Sequence, residues 1–289
     1  MGQKIKQEFQ LNSNTGKPFL FDISYIKNTK KKPLIIFVHG FKGFKDWGFF
    51  NLMSNWFTEQ GFVFLKMNFS FNGTTPDSPL DFVDLNAFGK NNFSKELLDI
   101  DSLLNHLLSN PTSIDFTELN LDNITLLGHS KGGATTLIKA FEDNRITKAA
   151  TLASVLDIKT RYAEQNIDVW KKEGVLYIYN NRTKQNMPIY YQLAEDILIN
   201  ETRFNPSIIL SQIQKPIFLI HPIQDETVPI QELQIAKKAN NPFLEIAEIN
   251  GNHTFDGTHP YTPSSLPKSA LTAFQLIKKF IYNDTSRNN

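Results

Sequence analysis

The chain contains no cysteine. That absence excludes disulfides, thiolate nucleophiles and cysteine-ligated zinc. An excess of one charge is missing too. Thirty Lys and Arg stand against 29 Asp and Glu, a formal net charge of +1, which leaves no electrostatic case for nucleic acid as a partner. No apolar run is long enough to cross a bilayer. The first residues form no apolar signal region, and residue 6 is Lys where an N-myristoylation pattern needs Ser or Thr. The expectation is a cytoplasmic protein with no membrane partner. No internal repeat or low-complexity tract breaks the chain, and the run Lys30-Lys31-Lys32 reads as a solvated turn before Pro33.

What is present is a regular alternation of strand and helix patterns over 289 residues with 24 Phe, enough for a large core. Glu8 to Ser13 and Lys17 to Ile26 read as a hairpin around Asn14-Thr15-Gly16. Leu34 to Val38 is wholly apolar, as a strand buried on both faces must be. Trp47 to Gln60 reads as a helix ended by Gly61, and Phe62 to Phe69 as the next strand. Phe93, Leu97, Ile100, Leu104 and Leu107 form the stripe of an amphipathic helix. An Ile124 strand follows, then a helix over Ala134 to Phe141. Strands at Ala149 to Val155, Pro216 to Ile220 and Phe243 to Ile249 come next. Helices are expected from Pro229 to Lys238 and around Leu271 to Phe280. This pattern predicts an α/β fold with a mostly parallel central sheet flanked by helices. The chain reads as one domain, 1–289. Residues 157–214 interrupt the alternation with a hairpin pattern (Gly174 to Asn180, Met187 to Leu193) and are expected to form an inserted cap, because binding residues concentrate on loops at the carboxyl ends of such strands.

One segment points to chemistry. Gly128-His129-Ser130-Lys131-Gly132-Gly133 follows the apolar strand Ile124 to Leu127 directly. A strand, a tight glycine-flanked turn with Ser at its apex and a helix make a nucleophile elbow, G-x-S-x-G. A serine hydroxyl is a weak nucleophile and needs a base, and the base needs an orienting acid. His253, in Gly251-Asn252-His253, follows the last strand and emerges at the same sheet edge as Ser130; His259 is the alternative. His106 reads as a surface or packing residue, and His129 should point away from the serine. Asp225 follows the Pro216–Ile220 strand, with Glu226 as its nearest rival. The order Ser130, Asp225, His253 matches one of the known triad orders. An oxyanion hole needs two N–H groups. Lys131 N–H, at a helix N-terminus, and Phe41 N–H, in the loop His39-Gly40-Phe41-Lys42-Gly43-Phe44, are the candidates. In that loop His39 is expected to be structural, while Lys42 and Lys45 should face solvent.

Four segments, taken in order, carry a resemblance: Val38-His39-Gly40-Phe41, the Ser130 elbow, the Asp225 loop with Val228-Pro229, and Gly251-Asn252-His253. The chain resembles the α/β-hydrolase superfamily, and within it is similar to bacterial cinnamoyl and feruloyl esterases and dienelactone-hydrolase-like proteins. The resemblance spans nearly the whole chain. It implies a serine hydrolase acting on a small carboxylic ester, with no cofactor and no metal, and an insertion placed as a small cap over the acyl pocket. In one place the chain departs from the pattern: the acid loop begins His221-Pro222 where His-Gly is common, and proline fixes φ. Phe41, Phe44, Trp47, Tyr190 and Tyr191 are candidates for the pocket wall. The same triad would serve a peptidase, amidase or thioesterase. A binding module on this fold, or metal-dependent hydrolysis through His253, Asp256 and His259, are the other readings.

Overall fold

The computed structural model describes residues 2–109, 111–164 and 166–283. Its centre is an eight-stranded sheet. In chain order the strands are β1 (Gln3–Asn12), β2 (Pro18–Lys27), β3 (Lys32–Val38), β4 (Val63–Met67), β5 (Leu119–His129), β6 (Lys148–Leu152), β9 (Ile217–Pro222) and β10 (Leu244–Ile249), while β7 (Val175–Asn180) and β8 (Gln185–Tyr190) form a separate hairpin. The spatial order is β1-β2-β4-β3-β5-β6-β9-β10. β1 and β2 pair antiparallel, as do β2 and β4, and from β4 to β10 every neighbour is parallel.

The apolar strands are apolar because both faces are covered. In β3, Leu34, Ile36 and Val38 enter one cluster and Ile35 and Phe37 the other. The period-2 alternation of Cβ directions divides one continuous hydrophobic run between two cores. Helices α3 (Phe93–Leu108), α4 (Lys131–Glu142) and α8 (Leu233–Lys238) cover the first face; α1 (Phe50–Glu59) and α9 (Lys268–Asn283) cover the second. The predicted stripe Phe93, Leu97, Ile100, Leu104, Leu107 is fully buried. Asn92 starts that helix by accepting the Lys95 N–H at 2.9 Å, the usual service of an N-cap amide. The Trp47–Gln60 helix is shorter than expected, as is the Pro229–Lys238 helix, whose start is a 3-10 turn at Ile230–Glu232. One-turn helix α2 (Leu85–Gly89) was not foreseen; it is held by Asp84, whose carboxylate accepts the Ala87 N–H at 2.8 Å.

Strand order reverses at β3. The chain runs from β3 to β4 on one side, then returns to place β5 on the other. The loops leaving the carboxyl ends of β3 and β5 therefore diverge and open a crevice between them. Between β6 and β9 lie a π-helical turn (Thr160–Glu164), α5 (Ile167–Glu173), the β7–β8 hairpin, α6 (Gln192–Ile199) and α7 (Pro206–Gln212). Asp196 on α6 accepts the Ser94 N–H at 3.1 Å and the Ser94 hydroxyl at 2.5 Å. Met187 of the hairpin inserts among Phe44, Phe82 and Phe88.

Two lysine expectations are overturned. Lys45 is buried, with Nζ 2.6 Å from Glu8, 2.8 Å from Asp22 and 2.6 Å from Asp46. Lys66 joins the same cluster through Asp22 at 2.6 Å and through Asp46. Glu8, Asp22 and Asp46 stand close enough to share a cation, and the two ammonium groups already supply that charge. Lys32 likewise leaves solvent and pairs with buried Glu118. No helix among the described residues is long and apolar enough to cross a membrane.

Candidate active site

β5 delivers Ser130 to the carboxyl edge of the sheet, and α4 begins at the next residue. The turn is sharp enough to force Ser130 to φ +56°, ψ −121°, a region that costs a non-glycine residue about 1–3 kcal/mol. Its backbone is tied down: Ser130 N–H donates to Leu152 O at 2.9 Å, and Ser130 O accepts the Gly133 N–H at 2.9 Å. The flanking glycines are a packing requirement. A Cβ on Gly128 would fall inside contact distance of Gly132 O, and one on Gly132 inside that of His39 O. Across the crevice Gly40 approaches so closely that a Cβ there would lie 2.9 Å from the Ser130 Cβ.

The Ser130 hydroxyl lies 2.9 Å from His253 Nε2, and His253 Nδ1 lies 2.7 Å from Asp225 Oδ2. A carboxylate oxygen can only accept, so the His253 proton sits on Nδ1 and Nε2 is free to accept from the serine. Asp225 Oδ1 accepts two further N–H groups, from Thr227 at 2.9 Å and Val228 at 2.8 Å. Burial would raise the Asp225 pKa; the His253 hydrogen bond and charge and the two backbone donors outweigh it and hold the carboxyl below its usual range. Glu226 points into solvent. The His221-Pro222 departure does not divert this loop, because Pro222 closes β9 opposite Ile249 and Ile223 N–H donates to Ile249 O at 2.8 Å.

Two histidines that contact neither Asp225 nor the serine hydroxyl brace the site. His39 donates from Nδ1 to Gly40 O at 2.9 Å, while its Nε2 accepts Phe69 N–H and Asn72 Nδ2–H, both at 3.3 Å. Burial lowers its pKa to about 4. His129 donates from Nε2 to the His253 carbonyl at 2.9 Å. Burial first, then the adjacent His253, lowers its pKa to about 3. It therefore locks the His253 loop to the elbow as a neutral donor, a role that no spacing in the sequence signalled. The Lys131 side chain turns inward, with Nζ 2.5 Å from Glu96 Oε1 and 4.2 Å from the Phe93 ring centroid. Among the described residues neither Phe41 N–H nor Lys131 N–H donates to another protein group.

Ser130 opens on a cavity of about 240 Å³ lined by Gly40 to Gly43, Trp47, Phe50, His129, His253, Thr254 and His259, with Asn180 and Arg182 from the hairpin. Phe41, Lys42 and Trp47 are in its wall. Phe44 stands behind the wall, fully buried against Phe82 and His259. Tyr190 and Tyr191 do not reach it. Tyr190 packs on Gly89 with its hydroxyl 3.3 Å from Asn86, and Tyr191 meets Trp170 edge-on. Tyr190, at the end of β8, turns to α2, Tyr191 at the start of α6 turns to α5, and the hairpin offers Asn180 and Arg182 to the cavity.

His253, Asp256 and His259 do not converge as metal ligands. Asp256 accepts the Ser269 hydroxyl at 2.6 Å and His259 Nδ1 accepts the Gly48 N–H at 2.9 Å. His106 is half-buried, with its ring edge toward Phe21.

The fold has counterparts among solved structures. Est1E from Butyrivibrio proteoclasticus with bound ferulic acid superposes with TM-score 0.69 at 18% identity, covering 96% of this chain and 99% of that one. The α/β hydrolase GrgF from Penicillium sp. sh18 gives TM-score 0.70 at 14% identity over 96% and 98% of the two chains. The esterase domain of a Rhodothermus marinus protein gives 0.63 at 16%, over 96% and 97%. The chain has the α/β-hydrolase fold. No protein-family model and no curated protein matches its sequence. The likeness in structure is therefore one of fold, across the full length of both chains.

Proposed function

We propose that this α/β-hydrolase-fold protein is a serine hydrolase that cleaves a small carboxylic ester through an acyl-enzyme. The observation that carries the proposal is the unbroken chain of hydrogen bonds from Ser130, in the cavity wall, through His253 to buried Asp225. Ser130 Oγ attacks the acyl carbon as its proton passes to His253 Nε2. Asp225 holds the imidazole in the productive tautomer and stabilises the imidazolium. The tetrahedral oxyanion is received by Phe41 N–H and Lys131 N–H, the latter at the N-terminus of α4, where the helix dipole favours negative charge. His253 then protonates the departing alkoxide. Water, deprotonated by the same imidazole, attacks the acyl-enzyme, and Ser130 is restored with release of the acid.

The cavity, about 240 Å³, lies below the ~300–1,000 Å³ of pockets that take drug-sized ligands, which supports a small substrate. Residues 157–214 are the cap in this reading, since Asn180 and Arg182 reach the cavity from that segment. The test is hydrolysis of p-nitrophenyl esters from acetate to octanoate, with a hydroxycinnamate ester, a thioester and an aminoacyl anilide alongside. Ester turnover that disappears in Ser130→Ala is expected. Turnover retained by Ser130→Ala would overturn the mechanism, and faster anilide or thioester cleavage would move the enzyme to the peptidase or thioesterase class.

A further inference from the structure

The wall of the candidate active site carries an unbalanced charge. Its lining includes two cations, Arg182 and Lys42, and no Asp or Glu. Arg182 comes from the turn of the β7–β8 hairpin. Its backbone N–H donates to Asn180 Oδ1 at 3.2 Å, and Lys184 N–H donates to Asn180 O at 2.8 Å, so the turn is folded about Asn180. The guanidinium lies 5.6 and 5.5 Å from the Phe44 and Phe82 ring centroids, a cation–π seat that fixes the group and leaves its N–H edge unspent. Among the described residues its one acidic neighbour is Asp81, 3.9 Å away and largely solvent-exposed, too distant and too wet to satisfy a five-donor fork.

A second donor shares this wall. His259 Nδ1 accepts the Gly48 N–H at 2.9 Å, so the neutral ring carries its proton on Nε2. That nitrogen has no hydrogen-bond partner among the described residues, and the ring is fixed between Phe44 and Trp47. Burial, then the Arg182 charge, holds the imidazole below its ordinary range, with Asp81 pulling weakly the other way. It is a neutral donor at physiological pH.

We infer that Arg182, with His259 Nε2–H beside it, forms an anion subsite, and that the substrate is a small ester bearing a carboxylate on one arm. A guanidinium fork matches a carboxylate in plane and can bind it with two parallel hydrogen bonds. The inference rests on the proposed hydrolase reading, and it gives the insertion a purpose: the hairpin turn supplies the specificity group to a site built by other loops.

The test compares monomethyl glutarate (a carboxylate on the acyl arm), acetoxyacetate (a carboxylate on the alcohol arm) and neutral dimethyl glutarate, followed by pH-stat. The wild type should favour one of the charged esters over the neutral one in kcat/KM. Arg182→Gln should lower that charged-to-neutral ratio by about 10–100-fold, the scale of a lost charge-assisted hydrogen bond, mainly through KM. Arg182→Lys should restore part of the ratio. Inorganic phosphate and glutarate, compared as competitive inhibitors, separate a general anion site from a carboxylate site; stronger inhibition by phosphate would overturn the carboxylate assignment. Calorimetric binding of monomethyl glutarate to Ser130→Ala, with and without Arg182→Gln, reads the subsite without turnover. Binding that weakens with the second substitution supports the subsite even if the hydrolase reading fails. An unchanged ratio and unchanged binding in Arg182→Gln would overturn it even if neutral esters are hydrolysed.

Discussion

Replacing Asp225 by Asn tests the orientation of the whole hydrogen-bond chain, and the structure says which way the new amide must face. Oδ1 of Asp225 accepts N–H groups from Thr227 and Val228 at 2.9 and 2.8 Å. An Asn amide group cannot turn its NH2 toward two donors, so its oxygen takes that side and its NH2 takes the Oδ2 side, 2.7 Å from His253 Nδ1. Nδ1 must then accept, which moves the imidazole proton to Nε2, the nitrogen that has to receive the Ser130 proton. The geometry survives and the base is lost. A wrong-tautomer substitution in a Ser-His-Asp protease triad lowers kcat about 10⁴-fold, equal to about 5 kcal/mol of transition-state stabilisation. The assay is steady-state hydrolysis of p-nitrophenyl butyrate, with circular dichroism to confirm an unchanged fold. A loss below tenfold would refute the tautomer argument, as would a larger loss from Glu226→Gln than from Asp225→Asn.

Further outcomes follow from single contacts. Gly128→Ala drives a Cβ into the Gly132 carbonyl; it should cost about 1–3 kcal/mol and most of the activity, and a neutral urea midpoint would contradict the packing described. Met187→Ala removes the hairpin side chain buried among Phe44, Phe82 and Phe88. About 2–5 kcal/mol and a raised KM are expected, whereas a loss of stability with KM unchanged would detach the hairpin from substrate binding. Asp46 is held at about pKa 2: burial opposes this, and the Lys66 charge with the Lys45 and Lys66 hydrogen bonds overcomes it. Its folded value lies below the ~3.9 of free Asp, so its stabilisation is complete above pH 4 and is lost as pH falls toward 2. Thermal unfolding from pH 5 to pH 2 should show a steeper fall for wild type than for Asp46→Asn; parallel curves would place the acid sensitivity elsewhere.

The parts of the fold and site that were legible in the sequence are those governed by local rules. A buried parallel strand must be apolar throughout, and an elbow needs glycine where a Cβ would strike backbone. The Ser130, Asp225 and His253 segments could be read because each follows a strand that ends at the same sheet edge. What escaped depends on pairs distant in sequence. Lys45 reads as solvated because two of its three partners, Glu8 and Asp22, come from the distant strands β1 and β2, and charge composition is silent on convergence. Tyr190 ends β8 and Tyr191 begins α6, both away from the hairpin turn that meets the cavity, and where that turn lies is set by Met187 docking among Phe44, Phe82 and Phe88, which no local pattern reveals. Arg182 went unnoticed for the same reason, and His129 because its acceptor is a backbone carbonyl 124 positions away.

The proposed mechanism turns on Ser130 as the activated nucleophile. Intact-protein mass spectrometry after treatment with a fluorophosphonate tests it most directly. A single covalent adduct mapped to Ser130 is expected, absent in Ser130→Ala and strongly slowed in Asp225→Asn. A folded wild-type protein that takes no label, or takes it at another residue, would contradict it.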